Sequence, residues 1–377
     1  MISDDRIILG LLALVLGFVF ATRDRPGWQR FYVFVPIILV CYLVPSLMTT
    51  FGLIDVSESN LWPMAKDYFL PAALFLMTLS IDIKGILGLG SKAIVMFLTA
   101  TVGIVLGGPL ALWIVAQFEP SIIGSGDTAA WRGLATLAGS WIGGGANQTA
   151  MLEVYGYPLE GFAALLAVDI IVAEIWMVFL LYGAGAHERV DKWLGADSSS
   201  IARLRDTMAD YTASIERVAK ANDYVLLFGV TFAIVGLAHL LGGWLGGWFA
   251  AMQGEDATLA SEFFWVVVIA TTAGLAASFT RARELEGVGA SKFGVLFIFL
   301  LVAVIGTRMD VTKIIKAPFF FVAVGSKANI GGAASAPVVA AAFHPALAPV
   351  GVLLAVLGYA LGTYGAILCA QMMAAVG

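Results

Sequence analysis

Charge is what this chain most conspicuously lacks. Asp, Glu, Lys and Arg make up only 12% of its 377 residues, against roughly 25% in soluble domains. With 60% hydrophobic residues and a mean hydropathy of +0.93, the composition excludes an ordinary soluble domain and reads as an all-α polytopic membrane protein in contact with a lipid bilayer. No basic block offers nucleic acid an electrostatic footprint. The net charge of −5 says little about partners, because orientation follows where Lys and Arg sit. Cysteine is scarce: Cys41 and Cys369 both fall in apolar runs and form neither a disulfide framework nor a metal cluster. His187, His239 and His344 are scattered. No metalloprotease HExxH and no phosphate-binding loop occurs, so the common hydrolytic motifs are missing.

What the chain has is glycine, 42 residues of it, concentrated in two related stretches. The first is Gly139-Ser140-Trp141-Ile142-Gly143-Gly144-Gly145-Ala146-Asn147-Gln148-Thr149-Ala150-Met151. The second is Gly325-Ser326-Lys327-Ala328-Asn329-Ile330-Gly331-Gly332-Ala333-Ala334-Ser335-Ala336-Pro337. Each lies in an apolar run. Consecutive glycines beside Asn, Ser and Thr do not continue a stiff helix, so each run is expected to break near its middle and free backbone groups. Such groups persist at membrane depth only against protein, water or a bound solute, and paired broken segments in two halves point to a transporter binding site. The plainer alternative is close helix packing through the Gly139/Gly143 GxxxG pair.

Spans of about 20 residues are expected at 7–22, 31–50, 68–85, 93–117, 161–184, 222–247, 262–280, 290–307 and 346–373, with broken elements at 133–155 and 317–342. The first run carries Asp, Asp and Arg ahead of it and reads as a retained helix rather than a cleaved signal. Three units follow: a first transmembrane repeat at 1–185, a cytoplasmic amphipathic crossover helix at 186–221 and a second transmembrane repeat at 222–377. In the crossover, Ile201, Leu204, Met208, Tyr211, Ile215 and Val218 draw one apolar stripe that suits a membrane surface or, alternatively, a partner.

Basic residues test the topology. Arg23, Arg25, Arg30, Lys84, Lys92 and the six of the central interval are expected in the cytoplasm, with Lys66 and Arg132 outside. Four full spans then bring the chain outside, and only a re-entrant hairpin at 133–155 returns the central interval to the cytoplasm. The second half starts from the opposite side, which makes the halves inverted repeats. A further repeat mark is Leu79-Ser80-Ile81-Asp82 against Thr307-Arg308-Met309-Asp310. From these marks to the glycine motifs the second half is shorter by about 42 residues, the length of one spanning helix with its loops, so a helix is expected between Asp310 and Ala317 that this sequence does not spell out.

The doubled motif, followed by Leu357-Gly358-Tyr359-Ala360-Leu361-Gly362-Thr363-Tyr364, resembles the bacterial membrane family catalogued as domain of unknown function 819. The resemblance covers nearly the whole chain. That family is in turn similar to sodium-coupled glutamate and citrate symporters, which carry glycine-rich re-entrant hairpins in inverted halves. The resemblance implies an elevator-type transporter of the bacterial inner membrane, multi-pass and homodimeric, with Na⁺ as coupling ion.

Several residues are candidates to carry the chemistry. The half-helix beginning near Asn147 offers free N–H groups to an anion, and the one ending before Gly143 offers carbonyls to Na⁺. Gly143, Gly144, Gly145, Asn147, Gln148, Thr149, Asn329, Gly331, Gly332 and Ser335 are therefore expected to bind the solute. Ser140, Asn147, Asp169, Ser326 and Asn329 are expected to hold the cation. Asp169 and Glu174 sit inside a span, where an ionisable group costs about 2.5–3.5 kcal/mol on insertion scales; Asp169 is the stronger candidate, for a cation or a proton. Lys327 is placed to neutralise an anion or to reach the interface. The functional expectation is a sodium-coupled secondary transporter of a small anionic solute (amino acid, carboxylate or short peptide), not an enzyme. The alternatives are an ion channel or a proton-coupled carrier. A remote third is an intramembrane aspartyl protease, whose Gly-x-Gly-Asp is matched at Gly124–Asp127 but whose Tyr-Asp partner is absent.

Overall fold

The computed structural model describes residues 1–23, 25–34, 37–81, 91–185, 192, 219–254, 258–309 and 348–375. Every regular element among them is helical: α1 (Asp5–Arg23), α2 (Pro26–Phe34), α3 (Ile37–Thr50), α4 (Leu61–Met64), α5 (Leu70–Leu79), α6 (Ser91–Ala116), α7 (Ala130–Gly143), α8 (Gly145–Val154), α9 (Leu159–Gly185), α10 (Ala221–Gln253), α11 (Glu262–Ser278), α12 (Ala290–Thr307) and α13 (Ala348–Ala374). Among the described residues, four segments are alone long and apolar enough to cross a bilayer: Asp5–Arg23, Ile94–Ala116, Ala221–Met252 and Ala290–Thr307. A helix has no other way to satisfy its backbone in lipid than internally; the first three of these segments leave much of their apolar surface outward, whereas Ala290–Thr307 is mostly buried.

The centre of the bundle is α5. All ten of its residues are buried, as expected of a helix that is apolar on every side, and it packs between α11 and α12. The approach to α11 is so close that a Cβ at Gly274 would stand 2.0 Å from Thr78 Oγ1 and 2.5 Å from the Phe75 carbonyl oxygen. A π-helical turn, Ala65–Phe69, joins α4 to α5. His239 of α10 places Nε2 2.8 Å from the Asp67 carbonyl in that turn. Ser46 and Thr49 of α3 donate to the Met309 and Thr307 carbonyls at 2.7 Å each, closing the C-terminal end of α12.

The expected spans are largely present, with two differences. The span at 31–50 begins earlier, as two helices with Pro26 at the start of the first. The span at 262–280 ends at Ser278, and the chain turns by 95° into the short 3₁₀ segment Arg281–Val288. Thr280 caps that segment by accepting from Ala282 N, so a polar turn outcompetes continuation of the helix. The crossover stripe, the Asp82 repeat mark, the second glycine motif and the short connection after Asp310 lie outside the described residues, as does the side chain of Glu174. The inverted relation of the two halves rests on those segments.

Candidate functional site

The first glycine motif folds back on itself. On a straight helix, Arg132 and Tyr155 would stand about 34 Å apart at 1.5 Å per residue, yet Arg132 Nη1 donates to the Tyr155 carbonyl at 2.7 Å. A Cβ on Gly139 would likewise meet the Asn147 carbonyl oxygen at 2.6 Å and the Met151 side chain at 2.9 Å. Helices α7 and α8 are thus the two arms of an antiparallel hairpin, turning at Gly144. Its φ of 81° and ψ of −173° lie in a region open to glycine alone. Gly144 N still donates to Ser140 O at 2.7 Å, and Gln148 N donates to Gly144 O at 3.0 Å, so the turn splices two helices with a single residue.

At the open end the arms meet a collar of charge. Lys66 Nζ is 3.2 Å from Glu153 Oε2 and lies over the Phe263 ring, while Arg132 pairs with Asp127 at 3.3 Å. Lys66, in the π-helical turn, and Arg132, in the first turn of α7, therefore share one end of the bundle, as the basic-residue pattern requires. Asp127, the match to the protease motif, is exposed and pairs with Arg132. Tyr157, in the connection from α8 to α9, wedges against Gly133 and Gly161; burial pushes its phenol above the usual value.

The closed end is buried and polar. Asp169, ten residues into α9 and so about 15 Å along it, is 7% exposed. Its carboxylate accepts from Ser140 Oγ at 2.7 Å, from the Trp141 indole N–H and from Gln148 Nε2 at 3.0 Å. Two donors come from the first arm and one from the second, so one carboxylate straps both arms to α9. Among the described residues no Lys or Arg pairs with it; three neutral donors stabilise the buried oxygens instead.

A second cluster lies on the other side of the tip. Asn147 is fully buried; its Nδ2 donates to Gly143 O at 3.1 Å and its Oδ1 accepts from Thr363 Oγ1 of α13 at 2.5 Å. Thr271 Oγ1 of α11 stands 3.3 Å from Thr363 Oγ1. The backbones touch here: a Cβ on Gly362 would be 2.4 Å from Gly143 Cα. Thr363→Val, which keeps shape and removes the hydroxyl, is expected to destabilise the protein by about 0.5–1.5 kcal/mol, read as an earlier thermal unfolding transition in detergent.

Of the expected site residues, the fold brings together Ser140, Gln148 and Asp169 in one cluster and Gly143, Asn147 and the turn glycines in the other. The Thr149 hydroxyl bonds back to Gly145 O at 3.0 Å within its own helix. Ser326, Asn329, Gly331, Gly332 and Ser335 lie outside the described residues. Sequence reasoning missed Trp141, Thr363, Thr271 and Tyr42. Trp141 stood inside the motif and Thr363 inside the stretch that follows the second copy, but nothing in the sequence marked Thr271. Tyr42 is fully buried, and among the described residues its hydroxyl finds no partner. As for Na⁺, the neutral oxygens of Asn147, Thr363 and Thr271, together with the last carbonyls of α7, are a hard-donor set at the negative end of a helix dipole and fit a small cation. The Asp169 cluster offers a carboxylate and the Ser140 hydroxyl, with the Gln148 side-chain carbonyl beside them; the Trp141 indole N–H has no lone pair for a metal.

Residues 10–324 and 319–376 match the family described as Protein of unknown function (DUF819). The two ranges meet at 319–324, beside the connection where a spanning helix is expected. An uncharacterized membrane protein, YjcL, of Bacillus subtilis (strain 168) is 23% identical over 395 residues, covering 96% of this chain and 95% of that protein. With nearly all of its length matched, and with an all-helical fold rich in apolar spans, the chain belongs to the DUF819 family of membrane proteins.

Proposed function

We propose that this membrane protein is a sodium-coupled secondary transporter of a small anionic solute, an amino acid, carboxylate or short peptide, that catalyses no chemical reaction. The observation that carries this reading is the hairpin tip. A buried carboxylate at mid-span depth straps both arms, and an oxygen-rich crossing of three helices sits beside it. Polar groups at this depth are costly in lipid and mark solute or ion pathways. Gly145 and Ala146 open α8, where a helix leaves its N–H groups without intrahelical acceptors, and this end favours a negative group. The oxygens of Asn147, Thr363 and Thr271 suit Na⁺, which when bound would add positive charge next to the solute. The second motif, with Ser326, Asn329, Gly331, Gly332 and Ser335, is taken as the other half of the site. We place the protein in the bacterial inner membrane as a homodimer whose hairpin-containing core moves past a scaffold in an elevator movement.

The test is a thermal-shift screen of carboxylates, amino acids and short peptides on purified protein, in NaCl and in KCl at equal ionic strength. A ligand at 100 times its Kd stabilises the native state by about 2.7 kcal/mol. Stabilisation by at least one anionic solute that needs Na⁺ is expected in the native chain and absent in Asn147→Ala and Asn329→Ala. Saturable sodium-dependent uptake separates a carrier from a channel, and undiminished uptake in both variants would remove the site from the hairpin tip.

A further inference from the structure

Behind Trp141 lies a small cleft with about 40 Å³ of internal room, enough for about three groups the size of a water or a methylene. It is lined by Gly103, Gly107 and Gly108 of α6, Leu137 and Trp141 of α7, and Met373 of α13, among others. We propose that this pocket takes the acyl chain of a bilayer lipid, which packs beside Trp141, the residue whose indole N–H is held by Asp169.

Three observations select that occupant. The first is depth: Gly103 to Gly108 straddle the middle of the span Ile94–Ala116, which is where lipid tails rather than headgroups lie. The second is the direction of the mouth. Gly103 is exposed, and a Cβ at Gly103 or Gly107 would have no atom within 4 Å. Val102, Leu106 and Leu110 beside them stand outward, each more than half exposed, so the pocket opens sideways where the helix meets lipid. The third is chemistry. Its walls are almost wholly apolar, and the Cys369 thiol on its floor is engaged with the Ile104 carbonyl at 3.7 Å. A polar solute would find no partner there. An unfilled void would forfeit dispersion contacts along its lining, and in a bilayer that packing is the main attraction available to apolar groups.

The indole thereby has two neighbours of different kinds. Its N–H donates to Asp169, and the same residue lines the pocket. A chain end in the pocket thereby steadies the residue that helps keep the Asp169 strap closed. This inference does not depend on the transport reading.

The experiment uses the full chain in lipid nanodiscs made from phosphatidylcholine brominated midway along one acyl chain, with unbrominated discs as reference. Bromine quenches indole emission on contact. The chain has ten tryptophans, so the share of Trp141 is taken as the difference between the native chain and Trp141→Phe. That share is expected to be lost in brominated discs and restored in Gly107→Leu. A Cβ at Gly107 meets no atom within 4 Å, and replacing a helical glycine favours the helix by up to about 1 kcal/mol, so this variant is expected to fold. Three results overturn the proposal: emission of Trp141 unaffected by bromine, quenching that survives Gly107→Leu, or quenching relieved by a water-soluble carboxylate or amino acid, which would assign the pocket to the solute. Quenching that rises with the number of chains per disc would instead assign the face to a second copy, and equally overturns it.

Discussion

Alanine in place of Gly362 or Gly143 is expected to detach the hairpin tip from α13. The new Cβ at Gly362 would stand 2.4 Å from Gly143 Cα and 2.8 Å from its N; at Gly143 it would stand 2.1 Å from Asn147 Nδ2 and 2.7 Å from Gly362 Cα. Neither obstacle at Gly362 is the far end of a flexible side chain. Two backbones must separate, and that strains the Asn147–Thr363 hydrogen bond as well. Overpacking typically costs about 1–3 kcal/mol and occasionally more; with backbone on both sides the upper end applies. The control is Gly107→Ala, where the added carbon meets nothing within 4 Å and the effect is expected to be neutral or stabilising. Thermal unfolding of the three variants in one detergent decides the matter. Equal midpoints for Gly362→Ala and Gly107→Ala would mean that the tip does not cross α13 as described.

That crossing also marks how far the sequence could be read. The hairpin was legible because Gly143-Gly144-Gly145 cannot extend a helix and because Lys66 and Arg132 had to fall on one side; both are local or additive properties. Asp169 was legible because a carboxylate in a run of Leu, Val and Ile is costly and needs a partner. Which partner was not legible. Ser140 and Gln148 were candidates by type, but that the indole of Trp141 joins them follows only from the angle at which α9 passes the two arms. Gly362 and Thr363 belonged to a stretch recognisable by resemblance, yet their contact with Gly143 and Asn147 spans more than 200 positions. Thr271, one of two adjacent threonines in α11, looks like any hydroxyl that bonds back to its own helix, and it does donate to Val267 O at 2.8 Å. Its second neighbour, Thr363, is a matter of tertiary geometry. The bend after Ser278 was missed for another reason: the apolar run continued through Phe279, and hydropathy does not register a Thr280 cap.

Asp169→Ala is expected to be the most damaging single change at the tip, and the pattern of its relatives separates anchoring from coupling. Removing the carboxylate strands three donors, the Ser140 hydroxyl, the Trp141 indole N–H and the Gln148 amide, in a buried site. A stranded buried donor costs about 1–3 kcal/mol in a soluble core and less on average between membrane helices. Ser140 can turn its proton to a carbonyl of its own helix, which leaves a net loss of roughly 2–4 kcal/mol. Asp169→Asn keeps one acceptor oxygen but turns an N–H toward other N–H groups, so about half of that loss is expected. Glu174→Gln is expected to be milder in both stability and uptake. If Asp169 only anchors the arms, Na⁺ should stabilise Asp169→Asn as much as it stabilises the native chain, and residual uptake should keep its sodium dependence. If the charge participates in coupling, the Na⁺-dependent increment in unfolding temperature should disappear in Asp169→Asn while Glu174→Gln retains it. Equal and small effects of both substitutions would leave Asp169 no more than a hydrogen-bonding post for the hairpin, and would move the search for the coupling site to the oxygens of Asn147, Thr363 and Thr271.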